Sequence, residues 1–182
     1  MSGFEIFGTV FGLISIWLTV RASVWCWPTG IVNIALYLVT YTEARLYSDV
    51  VNYLVMLALS IWGWIEWARG PRRPARPIAT ASPRARGAAL AAAALGSLLM
   101  GWLFATFTDA SMPYWDSLVA APSLVAQVLL ALKLVENWYF WIFADVVAIG
   151  VYLVKGLWLV AALYAVYLGF CLVGVRKWRR QV

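Results

Sequence analysis

Seven apolar stretches follow one another in this chain, at about 4–20, 28–43, 47–67, 88–107, 114–133, 136–157 and 157–175, and charge is held almost entirely at their ends. Stretches of that kind are near the roughly 20 residues a helix needs to cross a bilayer. Inside hydrocarbon every backbone N–H and C=O must find its partner within the protein, so the chain has to form membrane-spanning helices. The exception to the charge rule is Asp145, in the middle of the sixth stretch. A carboxylate at that depth costs about 2.5–3.5 kcal/mol on insertion scales and belongs against protein or water. Trp138, Trp141, Asp145 and Tyr152 recur at near-helical spacing and fall within roughly a 60° arc of one helix face. That face reads as the wall of a binding site.

Composition agrees. Hydrophobic residues are 64% of the 182 and charged residues 12%, against about 25% charged in a soluble domain. Seven crossings leave no room for a separate soluble enzyme domain. The chain has no histidine, and its two cysteines, Cys26 and Cys171, stand far apart. Neither a metal site, a disulfide nor imidazole catalysis is expected, and no phosphate-binding glycine motif is present. The net charge of +6 suggests topology rather than nucleic-acid binding, because the basic residues gather at stretch ends and in one linker.

The first stretch carries no basic flank of the signal-peptide kind, and its small residues Gly8, Gly12, Ser15 and Thr19 form a stripe suited to close packing. The second places Asn33, Tyr37 and Thr40 on one face, and the third Asp49, Tyr53, Met56, Ser60, Gly63 and Trp67, with Asn52 at the margin. Between 69 and 86 lie six arginines and four prolines, which exclude a membrane span and predict a solvated basic loop. The fourth stretch is Ala- and Leu-rich and lacks a polar face, as a lipid-facing connector would. The fifth aligns Asp116, Ala120, Ser123 and Gln127, and the seventh carries Tyr164 and Tyr167. With an external N-terminus and a cytoplasmic C-terminus, twelve of the fourteen Lys and Arg fall inside, leaving Arg45 and Lys155 outside. This obeys the positive-inside rule.

An internal repeat accounts for the odd number of crossings. An offset of 111 residues matches Trp27 with Trp138, Ile31 with Ile142, Tyr41 with Tyr152, Leu46 with Leu157, Tyr53 with Tyr164, Gly63 with Gly174 and Trp67 with Trp178. Equivalent helices four crossings apart point the same way. The expected fold is therefore all-α and integral to the membrane, with two parallel three-helix repeats joined by one helix: residues 1–67, a basic cytoplasmic linker at 68–87, a connecting helix at 88–110, and residues 111–182 with a basic tail. Carriers built from parallel repeats hold substrate near the midplane between the halves.

The residues expected to line that site are Trp138, Trp141, Asp145, Tyr152, Gln127, Asn33, Asn52, Tyr53 and Tyr164. Rings can sandwich a flat heterocycle, a carboxylate favours a cationic one, and amides and hydroxyls satisfy sugar hydroxyls at about 0.5–1.5 kcal/mol per bond. No basic cluster reaches the middle to hold a phosphate. The implied ligand is an uncharged or cationic aromatic compound bearing hydroxyls. The alternative readings of these residues are packing: tryptophans at stretch ends as interface anchors, Gln127 and Asn33 as links between helices, and Lys155 as a residue reaching for the interface.

Several segments resemble the PnuC vitamin transporters: Trp27-Pro28-Thr29-Gly30-Ile31; Leu46-Tyr47-Ser48-Asp49 with Gly63-Trp64 and Trp67; Gln127 and Lys133; and Glu136-Asn137-Trp138, Trp141-Ile142, Asp145, Tyr152, Lys155-Gly156-Leu157 and Leu163-Tyr164. The resemblance covers nearly the whole chain except the basic linker and the fourth stretch. It implies a seven-helix arrangement like a full-length SWEET protein, in the bacterial inner (cytoplasmic) membrane. It also implies facilitated diffusion of nicotinamide riboside without a cofactor, trapped by a separate cytoplasmic kinase that need not touch the carrier. Relatives of this family carry thiamine or riboflavin, and those substrates stay open. So do a SWEET-like sugar carrier, a membrane enzyme using Asp145 or Asp116, and a subunit recruiting a partner through the linker. The lipid bilayer and a second copy of the chain are the other partners to consider.

Overall fold

The structure, a computed structural model, describes residues 3–43, 47–68, 76–108 and 110–182. Arg45, Leu46, the arginines at 69, 72 and 73, and Asp109 lie outside the described residues, as do the side chains of Tyr47 and Ser48. Among the described residues seven helices follow in order: α1 Gly3–Val20, α2 Cys26–Glu43, α3 Tyr47–Ala68, α4 Pro83–Phe107, α5 Pro113–Ala131, α6 Asn137–Val154 and α7 Trp158–Arg179. Five of them, α3 to α7, are long and apolar enough on their own to cross a membrane. α1 is the shorter apolar helix of the set. α2 carries Thr29, Asn33, Tyr37, Thr40, Tyr41 and Thr42, which dilute its hydropathy. A helix can hold such groups in a membrane when that face is turned toward other helices.

Six helices form a ring. α1 packs on α2, α2 on α3, α3 on α5, α5 on α6, α6 on α7, and α7 back on α1. The contacts of α3 with α5 and of α7 with α1 are the two seams between the repeats, and each is the image of the other under the 111-residue offset. α4 stands outside the ring, packed on α5 alone among its substantial contacts.

The repeat extends into the backbone. α1 and α5 both end on a residue in the left-handed conformation, Ala22 (φ 52°) and Lys133 (φ 53°), which are 111 positions apart. Ser23 N–H donates to Leu18 O at 3.0 Å and Ala22 N–H to Thr19 O at 2.9 Å; Leu134 N–H donates to Leu129 O and Lys133 N–H to Leu130 O, both at 2.9 Å. These reverse bonds satisfy carbonyls that a helix end leaves free. Each half then turns tightly into its next helix through the same hydrogen bonds, Trp27 N–H to Val24 O and Trp138 N–H to Val135 O.

Two segments differ from expectation. α4 begins at Pro83, five residues before the span read from hydropathy, because Ser82 accepts a bond from Ala85 N–H and Pro83 occupies the first turn. Those features start a helix even where the side chains are basic. The described end of the linker is also not simply a solvated loop. Ala79 bridges the α5–α6 turn, donating to Lys133 O at 3.1 Å and accepting from Val135 N–H at 2.9 Å. Glu136 accepts from Ala81 N–H at 2.9 Å and from Arg86 Nε at 2.8 Å. Buried backbone groups need partners, and this turn supplies them.

Candidate functional site

Along the ring axis the side chains sort into three layers. The first lies at the basic end, where α1, α3, α5 and α7 finish and α2 and α6 begin. Four tryptophans run across it in a chain. Trp27 meets Trp67 edge-on with ring centres 5.4 Å apart, Trp67 meets Trp178 at 6.3 Å, and Trp178 meets Trp138 edge-on at 5.5 Å. Trp27, Trp138 and Trp178 are fully buried. Their indoles lie on glycines that leave room for them: a Cβ on Gly174 would sit 2.6 Å from Trp138, and one on Gly63 would overlap Trp27. Trp67 also reaches across a seam, donating from Nε1 to Ala131 O at 3.0 Å beneath the Lys133 ammonium, 4.5 Å from its ring centre. Desolvation pushes that ammonium below its usual pKa.

The middle layer is polar. Gln127 Nε2 donates to Ser60 Oγ at 2.9 Å, which joins α5 to α3 across one seam. Asp145 is buried and accepts a weak bond from Cys171 Sγ at 3.4 Å. Asn33 donates to Gly8 O at 2.7 Å. Gly12 of α1 brings together groups from two other helices: a Cβ there would lie 2.6 Å from Tyr167 Oη and 3.0 Å from Asn33 Nδ2. The small-residue stripe of α1 is thus a bed for side chains of α2 and α7, with Gly8 receiving Tyr37. Asn52 Oδ1 is buried without a hydrogen-bond partner.

The third layer belongs to tyrosine. In the first half Tyr37, Tyr41 and Tyr53 touch one another, with ring centres 4.9–6.0 Å apart. In the second half Tyr164 lies 5.2 Å from Tyr152 and 5.8 Å from Tyr167. The groups face each other across the axis, Tyr41 and Tyr53 within electrostatic range of Tyr152, and Tyr37 of Tyr167. Asp145 is likewise in range of Tyr164 and Tyr167. All six rings are half-buried. Beyond them Lys155 Nζ pairs with Asp116 Oδ1 at 2.7 Å, so Lys155 ties α6 to α5 instead of simply reaching for the interface.

The residues expected at the site therefore divide. Tyr53, Tyr152, Tyr164 and Asp145 come together around the axis, with Asn52 one position from Tyr53. Gln127 and Asn33 sit in the middle layer, each spending its amide N–H on a helix-to-helix bond. Trp138 does not line this space; it is closed into the tryptophan layer, because the repeat that marked it out preserves the Trp–Gly contact. Trp141 is half-buried against the same layer, one turn from Asp145. Sequence reasoning omitted Tyr37, Tyr41 and Tyr167, although Tyr41 is the repeat image of Tyr152. It also omitted Cys171, the image of Ser60. Among the described residues every Arg and Lys lies at a helix end or in a turn. The described residues contain no cluster of three or more metal-ligating side chains.

Comparison with known proteins adds an independent line. The family model for the nicotinamide mononucleotide transporter matches residues 2–180. The riboflavin/roseoflavin transporter RibM of Streptomyces davaonensis is 29% identical over 96% of this chain and 83% of its own. The nicotinamide riboside transporter PnuC of Escherichia coli K12 is 23% identical over 98% of this chain and 85% of its own. The crystal structure of the vitamin B3 transporter PnuC matches the fold with a TM-score of 0.79 at 20% identity, over 98% of this chain and 81% of that one.

Proposed function

The chain belongs to the nicotinamide mononucleotide transporter family, as a multi-pass membrane transporter, and on that premise we propose that it carries nicotinamide riboside or a closely similar unphosphorylated aromatic vitamin by facilitated diffusion. Access alternates as one half of the ring rocks against the other, and a separate cytoplasmic kinase traps the product. The N-terminus lies outside and the tryptophan layer at the cytoplasmic face of a bacterial inner membrane, a reading supported by Arg84, Arg86, Lys133 and the C-terminal arginines at that end.

One observation carries the substrate reading: six tyrosines from both halves meet around an axis that holds a carboxylate and, among the described residues, no cation. Paired rings grip a planar ring at about 0.5–1.5 kcal/mol each beyond burial. Asp145 adds attraction for a ring that is itself positive. Asn52 Oδ1 offers an acceptor for a ribose hydroxyl, and filling it removes the penalty of an unmet buried group. Among the described residues a phosphate finds no arginine or lysine inside the ring to replace its water. Riboflavin is the second reading, favoured by the 29% identity to a riboflavin carrier and by its flat ring and hydroxylated chain.

Calorimetric titration of the purified protein with the riboside, riboflavin, thiamine and the mononucleotide separates these readings. The riboside is expected to bind saturably and the mononucleotide not at all. Tyr164→Ala should weaken binding about tenfold, the equivalent of roughly 1.4 kcal/mol. Asp145→Asn should weaken the cationic riboside while leaving a neutral flavin unchanged. Tight binding of the mononucleotide would overturn the proposal, and binding of riboflavin alone, indifferent to Asp145→Asn, would transfer it to the flavin.

A further inference from the structure

Where the basic end of the ring meets the lipid, α4 and α6 stand apart with α5 between them, and a groove of about 180 Å³ opens over α5. Ala89 and Leu90 form one wall, Tyr139 and Phe140 the other, and Leu129 the floor. Leu90 and Tyr139 are 64% and 46% exposed. The groove is apolar except at its basic end, which Arg86 and Glu136 close.

The chemistry of that end is specific. Both oxygens of Glu136 are engaged, one by Ala81 N–H and one by Arg86 Nε. Arg86 spends only Nε on this bond, so the four N–H donors on its two terminal amino groups remain, and its side chain is half exposed. Glu136 thus holds the guanidinium in place while its own charge is answered. Arg84, two residues before Arg86 and so on another face of α4, and Arg76 are exposed and add positive charge nearby. The result is an apolar slot under an anchored fork of donors with a basic surround.

We propose that this groove binds an anionic phospholipid of the cytoplasmic leaflet, with an acyl chain against Leu90, Leu129 and Tyr139 and the headgroup phosphate on Arg86, within the positive field of Arg84. The inference uses the orientation proposed above but not the substrate, so its failure and that of the vitamin reading are separable. Charge complementarity selects this occupant. Arginines at an anionic lipid surface gain from it, while a guanidinium fork matches a phosphate in geometry. The bound lipid adds an apolar link from α4 to α6, the helix that carries Asp145, beside the Arg86–Glu136 bond.

The test is native mass spectrometry of the whole protein in nonionic detergent, equilibrated with phosphatidylglycerol or phosphatidylcholine of equal chain length. The expected preference for phosphatidylglycerol is about thirtyfold. The double variant Arg84→Gln with Arg86→Gln should lose it, and Arg179→Gln with Arg180→Gln, which removes the same charge from the tail, should keep it. Leu90→Glu, an exposed position that puts a carboxylate in the slot and leaves the arginines, should also expel the lipid, and it covers the case in which freeing Glu136 unsettles the fold. Equal retention of the two lipids, equal loss in the tail variant, or retention by Leu90→Glu would each overturn the proposal. So would disulfide capture of Leu90→Cys by a second copy in place of lipid.

Discussion

The two ends of the six-helix ring are both aromatic, both repeat-related, and physically opposite. At the basic end four tryptophans are packed on glycines, three of them fully buried, and Trp67 donates across the seam to Ala131. At the other end six tyrosines touch within their own halves and stay partly accessible, none of them fully buried. An indole has a large apolar body that fills space against glycine and a single donor, which Trp67 gives to Ala131 O while Nε1 of Trp27, Trp138 and Trp178 is buried without a partner. A phenol carries a hydroxyl that both donates and accepts, which suits a partner that comes and goes. The contrast sets an end closed by buried indoles against an end whose rings stay partly accessible.

The strongest way to break the comparison is to add one carbon to the glycines. Gly63→Ala and Gly174→Ala should each destabilise the protein by about 1–3 kcal/mol through overpacking, despite the gain of about 1 kcal/mol in helix propensity. Thermal unfolding in detergent reads this. A raised melting temperature for either variant would show that the tryptophan layer is loosely packed after all.

A subtler change opens the layer without crowding it. Trp67→Phe removes the bond to Ala131 O, worth about 1 kcal/mol, and weakens the contact with Lys133. Cys26 is buried within the same cluster and serves as a reporter. Its labelling by a membrane-impermeant maleimide supplied at the basic end should rise severalfold in Trp67→Phe, read in a Cys171→Ser background. Unchanged labelling would mean that Trp67 does not hold that end closed.

The smallest effect is expected beyond the tyrosines. The Lys155–Asp116 pair is partly exposed on both sides, and such pairs contribute about 0–1 kcal/mol. Lys155→Met should move the unfolding temperature very little. A loss as large as that of Gly174→Ala would make this ion pair a structural equal of the tryptophan layer and erase the asymmetry.

The legibility of these layers from sequence was uneven. Tyr152, Tyr164 and Tyr53 could be placed because helical spacing and the 111-residue offset agree on them. Trp138 obeyed the same two rules and yet lies in the closed layer, since a repeat preserves packing as faithfully as it preserves a site. Glu136 reads from sequence as part of a motif at a helix start, and only its contacts with Ala81 and Arg86 reveal it as the clamp of the linker.

Sequence alone determined the seven helices, their membrane placement and the two-fold repetition, because apolar length, charge at the ends and recurring rare residues are local quantities that no packing choice can reverse. The tertiary structure decided which aromatic residues close the ring and which face its axis. It also decided that Gln127 meets Ser60, that Asp145 meets Cys171, and that α4 leaves a groove beside α6. Those outcomes depend on how far apart helices stand and which glycines let rings approach, and helix-to-helix distance is not encoded in any single stretch of the chain.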